Sequence, residues 1–472
     1  MRAVVCADVG STYTKAAVVD LDGGRLVAAA SAPTTVGTDV LHGLDAAVGA
    51  AVASAGVAEV PWYVCSSAGG GLRLAVVGYE PLVTAQAGRR VGLSAGANVV
   101  HVAAGRLAGA DVAALRAARP DVVLLVGGTD GGDAETVTHN ATRLAKARFR
   151  VPVVLAGNAD VREDLRALLA GAGVPVTVAG NVLPRIGVLE PASARAAIRE
   201  VFLRHVIGGK KLSRGTRFAR LVRAATPDAV LTGVEVLAGT LGGDLAVVDV
   251  GGATTDVYSV LTPDERDSGP SQEVAGTLWR ARTVEGDLGM RWSAPGVVRA
   301  AAEERLLDAA EEAQLAAAAA VRAADPGFLP AGDGERAVDR RIAALAATVA
   351  LRRHARGAAT GERAGRDLRE VKLLVGSGGV LRHADPGDAA AVLDAVLTDH
   401  AGGWALPRAA RPVVDVDYVL AAAGLLAADH PGAAAAMLRH HLAPDARRGQ
   451  GAEIETRRRD TPCRNTRQAR VG

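Results

Sequence analysis

The chain carries one short loop pattern twice, about half a chain apart. Residues 4–14 read VVCADVGSTYT, and residues 246–256 read AVVDVGGATTD. In each copy an apolar strand ends in an aspartate, a glycine and small or hydroxylated residues follow, and a second apolar run comes next. This pattern predicts two β-hairpins whose turns offer backbone N–H groups to a phosphate chain, with a carboxylate beside them for Mg²⁺. The duplication therefore predicts two similar lobes that close on one nucleotide.

The first loop combines a carboxylate with hydroxyl groups and a cation. Asp8 is the predicted catalytic and metal-binding residue. The residues predicted to contact phosphate are Gly10, Ser11, Thr12, Thr14 and Lys15. Hydroxyls and amides can hold phosphate oxygens, and a lysine can offset their charge. The alternative is an ordinary hairpin turn, in which Asp and Gly are common.

The second loop is richer still in glycine and threonine. Asp249 is the predicted catalytic and metal-binding carboxylate here. The predicted phosphate-binding residues are Gly251, Gly252, Thr254 and Thr255. Downstream, Glu285 lies in the segment 282–287 (RTVEGD), where it could place an attacking water as a third catalytic residue. The alternative for this segment is a helix start with acidic residues in its first turn.

A third glycine-rich loop follows the apolar run 371–375. It consists of Gly376, Ser377, Gly378 and Gly379, and a helical stretch comes after it. Glycines allow a ligand to approach the backbone closely. As the third element in this order, the loop is predicted to contact the adenosine side of a nucleotide.

The order of apolar runs predicts an α/β fold with two lobes. We expect a first lobe at 1–228 containing an inserted α/β subdomain at about 100–190, a second lobe at 229–444, and a basic tail at 445–472. Residues 72–77 and 82–87 are expected to continue the first lobe's sheet or its margin. A single long helix is expected at 297–323, before another at 335–356.

Composition limits the partners of the chain. Its 472 residues carry 54 Lys and Arg against 51 Asp and Glu, a net charge of +3, which predicts neither a nucleic-acid nor a membrane surface. Only three cysteines occur, Cys6, Cys65 and Cys463, without metal or redox spacing, which is typical of a cytoplasmic protein. An early aspartate argues against a signal peptide. A homo-oligomer is compatible with all of this.

Taken together, the motifs resemble those of the actin, sugar kinase and heat-shock chaperone ATPase superfamily, whose members have two ribonuclease-H-like lobes around a nucleotide cleft. Within that superfamily the chain resembles the MutL/GlmL family of glutamate mutase accessory proteins over roughly residues 3–428. The matching stretches are 8–15, 124–132, 249–259, 282–291 and 375–380.

The resemblance implies a role beside another enzyme. Such a protein would bind ATP and Mg²⁺ and act on the subunits of an adenosylcobalamin-dependent mutase such as glutamate (methylaspartate) mutase, reactivating or remodelling it in a chaperone-like way. The sequence lacks an Asp-x-His-x-x-Gly motif, so we do not expect the chain itself to hold cobalamin. The Gly127–Gly132 loop is predicted to be a second ligand site, a partner interface or a tight strand-to-helix connection.

Three alternatives use the same fold. A small-molecule kinase would need a general base, for which Asp256 or Asp287 could serve. A dehydratase activator would need cysteines that bind an iron–sulfur cluster. An actin-type filament protein would need neither a general base nor cysteines that bind a cluster.

Overall fold

The computed structural model describes residues 1–10, 12–68, 72–95, 97–207, 212–261, 280–325, 327–356 and 366–443. Within these ranges it contains three five-stranded sheets. Ser11, the tail 445–472 and Cys463 lie outside the described residues, so their predicted roles stay predictions. No helix in the described ranges is long and apolar enough to cross a membrane.

The first two sheets have the same topology. Each has a three-strand antiparallel meander, with two further strands parallel to the first strand of that meander. The first sheet has the strand order β10-β4-β1-β2-β3. Written so that equivalent strands correspond, the order in the second sheet is β15-β14-β11-β12-β13. Their strands are β1 (Ala3–Val9), β2 (Tyr13–Asp20), β3 (Arg25–Pro33), β4 (Trp62–Ser66), β10 (Val222–Ala225), β11 (Leu245–Val250), β12 (Thr255–Val260), β13 (Arg280–Glu285), β14 (Leu373–Ser377) and β15 (Arg411–Val414). The duplicated loop pattern therefore reflects a duplicated fold, and the predicted two-lobed α/β class is confirmed.

The third sheet is inserted between β4 and β10 of the first lobe. It is fully parallel, with the order β6-β5-β7-β8-β9 that is common in doubly wound domains. Its strands are β5 (Arg73–Gly78), β6 (Asn98–Ala104), β7 (Val122–Leu125), β8 (Val153–Leu155) and β9 (Val176–Val178). The expected start of the insertion near residue 100 is thus too late, because 73–78 pairs with β6 and β7 instead of the first lobe's sheet.

Helices cover the faces of all three sheets. They are α1 (Val40–Ala55), α2 (Thr84–Ser94), α3 (Gly109–Ala117), α4 (Glu135–Lys146), α5 (Arg162–Gly171), α6 (Pro191–Val201), α7 (Arg217–Leu221), α8 (Thr226–Leu241), α9 (Ala294–Glu303), α10 (Ala309–Ala324), α11 (Gly332–Arg356), α12 (Gly379–Arg382), α13 (Pro386–Leu397), α14 (Val419–Leu426) and α15 (Pro431–Leu442). A π-helical turn, Phe202–Ile207, follows α6.

Two predicted elements differ from the structure. The stretch 82–87 contains the start of α2, where the Thr84 hydroxyl accepts a hydrogen bond from the amide of Tyr79 at 2.8 Å. The expected helix 297–323 is two helices. The chain breaks after α9, where Arg305 adopts a positive φ of 57°, and α10 restarts at Asp308, whose side chain accepts hydrogen bonds from the first amides of that helix.

A shared hydrophobic core joins the two lobes. One face of each lobe's sheet packs on its own outer helices, such as α1 and α11. The opposite faces of both sheets pack on α8, α14 and α15, through residues such as Val4 and Val19 of the first sheet and Val247 and Val375 of the second. The expected boundary at 228/229 therefore falls inside α8, a helix that both lobes share.

The crossing of α8 and α14 depends on two glycines. A Cβ atom at Gly424 would overlap the carbonyl oxygen of Ala229, and one at Gly233 would overlap that of Leu420. We expect Gly424→Ala to lower the free energy of unfolding by about 1–3 kcal/mol, because the helices must separate. Gly239→Ala, also on α8 but in open space, should instead stabilise by about 0.5–1 kcal/mol. Urea denaturation measures both, and equal effects would contradict this packing.

The Gly127–Gly132 loop is braced from within. Asn158 Nδ2 donates to the Gly132 carbonyl at 3.1 Å, and Asn181 Nδ2 donates to the Gly128 carbonyl at 3.0 Å and to Asp130 Oδ1 at 2.8 Å. Both asparagines are buried. These bonds support the interpretation of a tight strand-to-helix connection, since the polar side chains around the loop hold the loop itself.

Candidate functional site

The two predicted loops are hairpin turns of the same geometry. In the first, the Gly10 amide donates to the Tyr13 carbonyl at 3.2 Å. In the second, the Gly251 amide donates to the Thr254 carbonyl at 2.9 Å. Each turn connects the first two strands of its lobe, β1–β2 and β11–β12, so the two loops occupy equivalent positions in the duplicated fold.

The aspartates of the two turns lie close enough to interact. Burial raises the pKa of the Asp249 carboxyl to about 7, the charge of Asp256 also raises it, Lys15 lowers it, and Asp8 and Asp415 raise it. Lys15 and Asp8 belong to the first lobe, while Asp249 belongs to the second. The charges of first-lobe residues therefore act on the second lobe's aspartate, as expected for two loops that face one cleft.

Asp8 is held in place by two neighbouring side chains. Asp8 is 6% exposed, and its Oδ1 accepts a hydrogen bond from Thr226 Oγ1 at 2.5 Å and a weaker one from Cys65 Sγ at 3.6 Å. Thr226 is the first residue of α8. Because both contacts reach Oδ1, they orient the carboxylate and leave its other oxygen directed elsewhere. Neither Thr226 nor Cys65 was predicted, because no local pattern links them to Asp8.

Lys15 connects the first hairpin to the second lobe. It lies directly opposite Asp8 in the β1–β2 register, and its Nζ is 3.4 Å from the ring centroid of Tyr418. Tyr418 precedes α14 and has a φ of 59°, an uncommon conformation for an aromatic residue. A cation over an aromatic face is an attractive contact. Lys15 therefore holds a positive charge against the Tyr418 ring, where that charge also lowers the pKa of Asp249.

A cavity of about 150 Å³ opens beside this contact. Its polar lining comes from both lobes and includes Asp8, Lys15, Ser31, Arg382, Asp417 and Tyr418. The Arg382 guanidinium lies 5.9 Å from the Tyr418 ring centroid. This cavity, which the second turn does not line, thus has two cationic side chains near acidic ones, an arrangement that suits an anionic ligand.

The second turn is supported by a segment that follows β13. The amides of Met290 and Arg291 donate to the carbonyls of Gly251 and Gly252 at 2.9 and 2.8 Å. In a trans peptide the N–H points opposite to the C=O. The amides of Gly252 and Ala253 therefore point away from 290–291, as donors for an anion need to do. Residues 282–291 were predicted to belong to the motif set, but this supporting role was not.

Some of the predicted phosphate-binding residues have side chains that do not face the turn. Thr14 is fully buried and shares a hydrogen bond of 2.9 Å with Thr34, and the equivalent Thr255 is buried and donates to the Leu288 carbonyl at 2.9 Å. Both hydroxyls are engaged inside their own lobe. Thr12 is exposed at the first turn, and Thr254 donates to Asp256 Oδ2 at 3.2 Å. Thr14 and Thr255 therefore stabilise the hairpins, and nothing in the sequence distinguishes them from Thr12.

The third loop lies beside the second turn. Ser377 is the register partner of Asp249 in the parallel pair β11–β14. Gly378 has a φ of 100°, and a Cβ atom there would overlap the Val250 carbonyl oxygen, whereas Gly379 faces open space. Gly376 is buried in the strand against Leu381 and Leu393. Of the four predicted residues, Gly379 has the most room for a ligand.

Arginines hold the acidic residues downstream of the second turn. Arg353 Nη1 donates to Glu285 Oε2 at 2.9 Å and to Asp287 Oδ1 at 2.7 Å. Burial raises the pKa of Glu285 despite this contact. Burial also opposes ionisation of Asp287, but hydrogen bonding to Arg353 outweighs it and lowers that pKa. Asp256 is paired with Arg282 at 2.6 Å. Since Asp256 and Asp287 are both engaged by arginine, neither resembles the free general base that a kinase needs.

The two cysteines of the described region are buried. Burial raises the pKa of Cys6 to about 12, and burial followed by the charge of Asp8 raises that of Cys65. Neither thiol offers the accessible, readily ionised sulfur that an iron–sulfur cluster shared between subunits requires.

The carboxylate arrangement fits magnesium carried by a nucleotide. No group of three or more His, Cys, Asp and Glu side chains able to hold a metal ion occurs among the described residues. Magnesium commonly binds through one or two carboxylates together with substrate phosphates and waters. Asp8 and Asp249 could supply those carboxylates, and the elevated pKa of Asp249 reflects burial together with the neighbouring carboxylates.

The pKa of Asp249 predicts a pH dependence of stability in the protein without nucleotide and metal. Its folded pKa, about 7, exceeds the ordinary value of 3.8. The folded state therefore binds the proton more tightly, and this group lowers stability progressively as pH rises from 3.8 to about 7. We expect Asp249→Asn to become more stable relative to the wild type over that interval, and then to show a constant difference. Urea denaturation in EDTA measures this, with Asp45→Asn at an exposed ion pair as the control; a constant difference throughout would contradict it.

Solved structures with a similar overall course of the chain include acetone carboxylase in its nucleotide-free form and component A of (R)-2-hydroxyglutaryl-CoA dehydratase from Acidaminococcus fermentans. The first has a TM-score of 0.39 and 16% identity, with 91% of this chain and 70% of that chain covered. The second has a TM-score of 0.31 and 10% identity, with 92% and 99% covered.

Sequence comparison gives a closer relationship. Protein MutL of Clostridium tetanomorphum is 35% identical over 408 residues, which cover 82% of this chain and 88% of that protein. The family model for the MutL protein matches residues 4–442, which include both hairpins, the inserted domain and the third loop. The chain therefore belongs to the MutL protein family.

Proposed function

We propose that this protein binds and hydrolyses ATP in the cleft between its lobes and uses the cycle to reactivate or remodel an adenosylcobalamin-dependent mutase of the glutamate mutase type. The observation that carries the ATP site is the pair of equivalent hairpin turns, with Asp8 and Asp249 in electrostatic contact across the cleft. Two points support a mutase as the client. The chain belongs to the MutL family, and accessory proteins of this kind use a partner enzyme.

The phosphates would lie between the two turns. The Gly10 amide closes the first turn, so the proposed donors are the amides of Thr12 in that turn and of Gly252 and Ala253 in the second. Lys15 would leave the Tyr418 ring to neutralise phosphate charge. Asp8 and Asp249 would hold Mg²⁺, which supplies charge neutralisation at the transferring phosphoryl group. The other residues of the proposed site are Ser11, Gly251, Thr254, Ser377, Gly378 and Gly379. Thr14, Thr255 and Gly376 would support it from within their strands.

Glu285 remains a proposed catalytic residue, with its role limited to positioning water. It ends β13 in register with Thr255, and Arg353 holds its carboxylate. In-line attack on a γ-phosphate needs a positioned water more than a strong base. A carboxylate fixed by an arginine can position water, so we propose that Glu285 orients the nucleophile.

The cycle would act on the partner through the angle between the lobes. Nucleotide contacts both lobes, so ATP and ADP favour different closures, and only such a difference can drive a change in a bound protein. The shared helices α8, α14 and α15 lie where this angle changes. The inserted domain contacts the second lobe and a shared helix, since α2 contacts β13 and Arg195 of α6 pairs with Glu235 of α8 at 3.1 Å, so a change in this angle would act on it as well.

The proposal is tested by phosphate release from the purified protein with Mg·ATP, with and without a purified glutamate-mutase-type enzyme inactivated by turnover. We expect slow hydrolysis alone, faster hydrolysis with the mutase, and recovery of mutase activity when fresh adenosylcobalamin is supplied. Asp8→Asn serves as the inactive control. Hydrolysis without any effect on the mutase would reject the client but retain the ATPase, whereas an absence of hydrolysis and of ATP binding would reject both.

A further inference from the structure

A cationic groove lies at the amino ends of two strands of the inserted sheet. Residues 119–120 lead into β7 and residues 148–151 lead into β8, so the groove is on the edge opposite the Gly127–Gly132 loop. Its volume is about 410 Å³. We call it the arginine groove, after the four arginines that line it above Pro120 and Phe149: Arg116, Arg119, Arg148 and Arg150.

The arginines of the groove are not neutralised by carboxylates. All four are exposed, and none forms an ion pair with a described acidic residue. Arg116 instead donates to the Ala147 carbonyl, at the end of α4. By contrast, the buried Arg352 of the second lobe is paired with Glu304 and Asp399. The groove therefore presents an uncompensated positive charge, although the net charge of the chain is small.

Two of these arginines occupy positions where glycine is favoured. Arg119 and Arg148 directly follow the C-terminal cap residues of α3 and α4, with φ values of 43° and 47°. The corresponding residue after α5 is Gly173, with a φ of 75°. A left-handed conformation is strained for any residue with a Cβ. A cation near a helix C-terminus is stabilising and offsets part of this strain. A cation at a neighbouring position would have the same effect, so it need not occupy the left-handed residue.

The polarity of the groove indicates its ligand. Its lining residues lie where α3 and α4 end, and the amides of Arg119, Arg148 and Phe149 are already used in hydrogen bonds to the carbonyls of Arg116, Ala145 and Leu144. Phosphate sites usually combine backbone amides with a helix N-terminus. Here those amides are not free, and the donors are guanidinium groups, which pair bidentately with carboxylates as well as with phosphates. We propose that the arginine groove binds an acidic segment of a partner protein, whose carboxylates pair with Arg119, Arg148 and Arg150.

The test uses the full chain and fluorescein-labelled octaglutamate as the probe, followed by fluorescence anisotropy at low salt without nucleotide. We expect binding that weakens with added salt. The variant Arg119→Asn/Arg148→Asn removes two charges but keeps residues that tolerate a left-handed backbone, and should weaken binding by about tenfold. The control Arg305→Asn/Arg25→Gln removes the same charge from exposed positions in the two lobes, including the left-handed Arg305 (φ 57°), and should bind like the wild type.

Three results would overturn the proposal. One is an equal loss of affinity in the control, which would mean that the probe senses only net charge. Another is unchanged affinity in the Arg119→Asn/Arg148→Asn variant with its thermal unfolding preserved. The third is displacement of the probe by inorganic pyrophosphate at far lower concentration than by unlabelled octaglutamate, which would indicate a phosphate ligand instead. Because no nucleotide is present, these outcomes do not depend on ATP hydrolysis by the cleft.

Discussion

Asp8→Asn and Asp249→Asn are each expected to lower the rate of ATP hydrolysis by at least about 100-fold while the fold is retained. Asparagine is nearly isosteric with aspartate and can still accept the Thr226 hydrogen bond at position 8. The substitution removes only the negative charge that would hold Mg²⁺ beside the phosphates. The loss should therefore fall on turnover and on the dependence of nucleotide affinity on Mg²⁺.

The measurement is steady-state phosphate release over a range of Mg²⁺ concentrations, with circular dichroism to confirm folding. Asp45→Asn, at an exposed ion pair with Arg217, is the matched control and should hydrolyse ATP like the wild type. Normal turnover in either cleft variant would show that its carboxylate takes no part in the site. If only one of the two variants loses ATP hydrolysis, the two lobes do not contribute equally to that reaction.

Gly378→Ala should be far more damaging than Gly379→Ala, although the two residues are adjacent. Gly378 has a φ of 100°, and its Cβ atom would overlap the backbone of Val250 in the second hairpin. The strained backbone at this positive φ and the clash with Val250 together should lower the free energy of unfolding by about 2–4 kcal/mol. The displaced strand would also move Asp249, so ATP affinity should fall. A Cβ atom added at Gly379 would have no neighbouring atom within 4 Å, and the alanine variant at that position should fold normally.

Urea denaturation and nucleotide titration of both variants distinguish these effects. If Gly379→Ala lowers ATP affinity while remaining stable, the open space at that position accommodates the nucleotide, as proposed for the adenosine side. If the two variants are equally stable, the close approach of the third loop to the second hairpin is not present in solution.

The hairpins could be predicted from the sequence because their determinants are local. An apolar strand, an aspartate and a glycine within a few residues specify both strand and turn, and the repeat of that pattern predicts a second lobe. The break after α9 was also encoded locally, since Asp308 precedes Glu311 as in a helix start. It was missed because the alanine-rich sequence on either side has strong helix propensity.

The contacts that shape the site are long-range and could not be predicted. Thr226 and Asp8 are 218 positions apart, yet they share the hydrogen bond that orients the carboxylate. Tyr418 meets Lys15 only because α14 packs between the two sheets. The hydrogen bond of the buried Thr14 likewise depends on Thr34, which follows the end of β3. Such contacts follow from how the lobes pack, and a single sequence gives no direct signal of them.

The most direct test is a crystal structure of the full chain with Mg²⁺ and a non-hydrolysable ATP analogue. We expect one nucleotide whose phosphates lie between the turns at residues 10–13 and 251–254, with Mg²⁺ near Asp8 and Asp249 and with Lys15 moved from the Tyr418 ring to the phosphates. A nucleotide bound elsewhere, or phosphates that contact only one of the two turns, would contradict the two-lobed site.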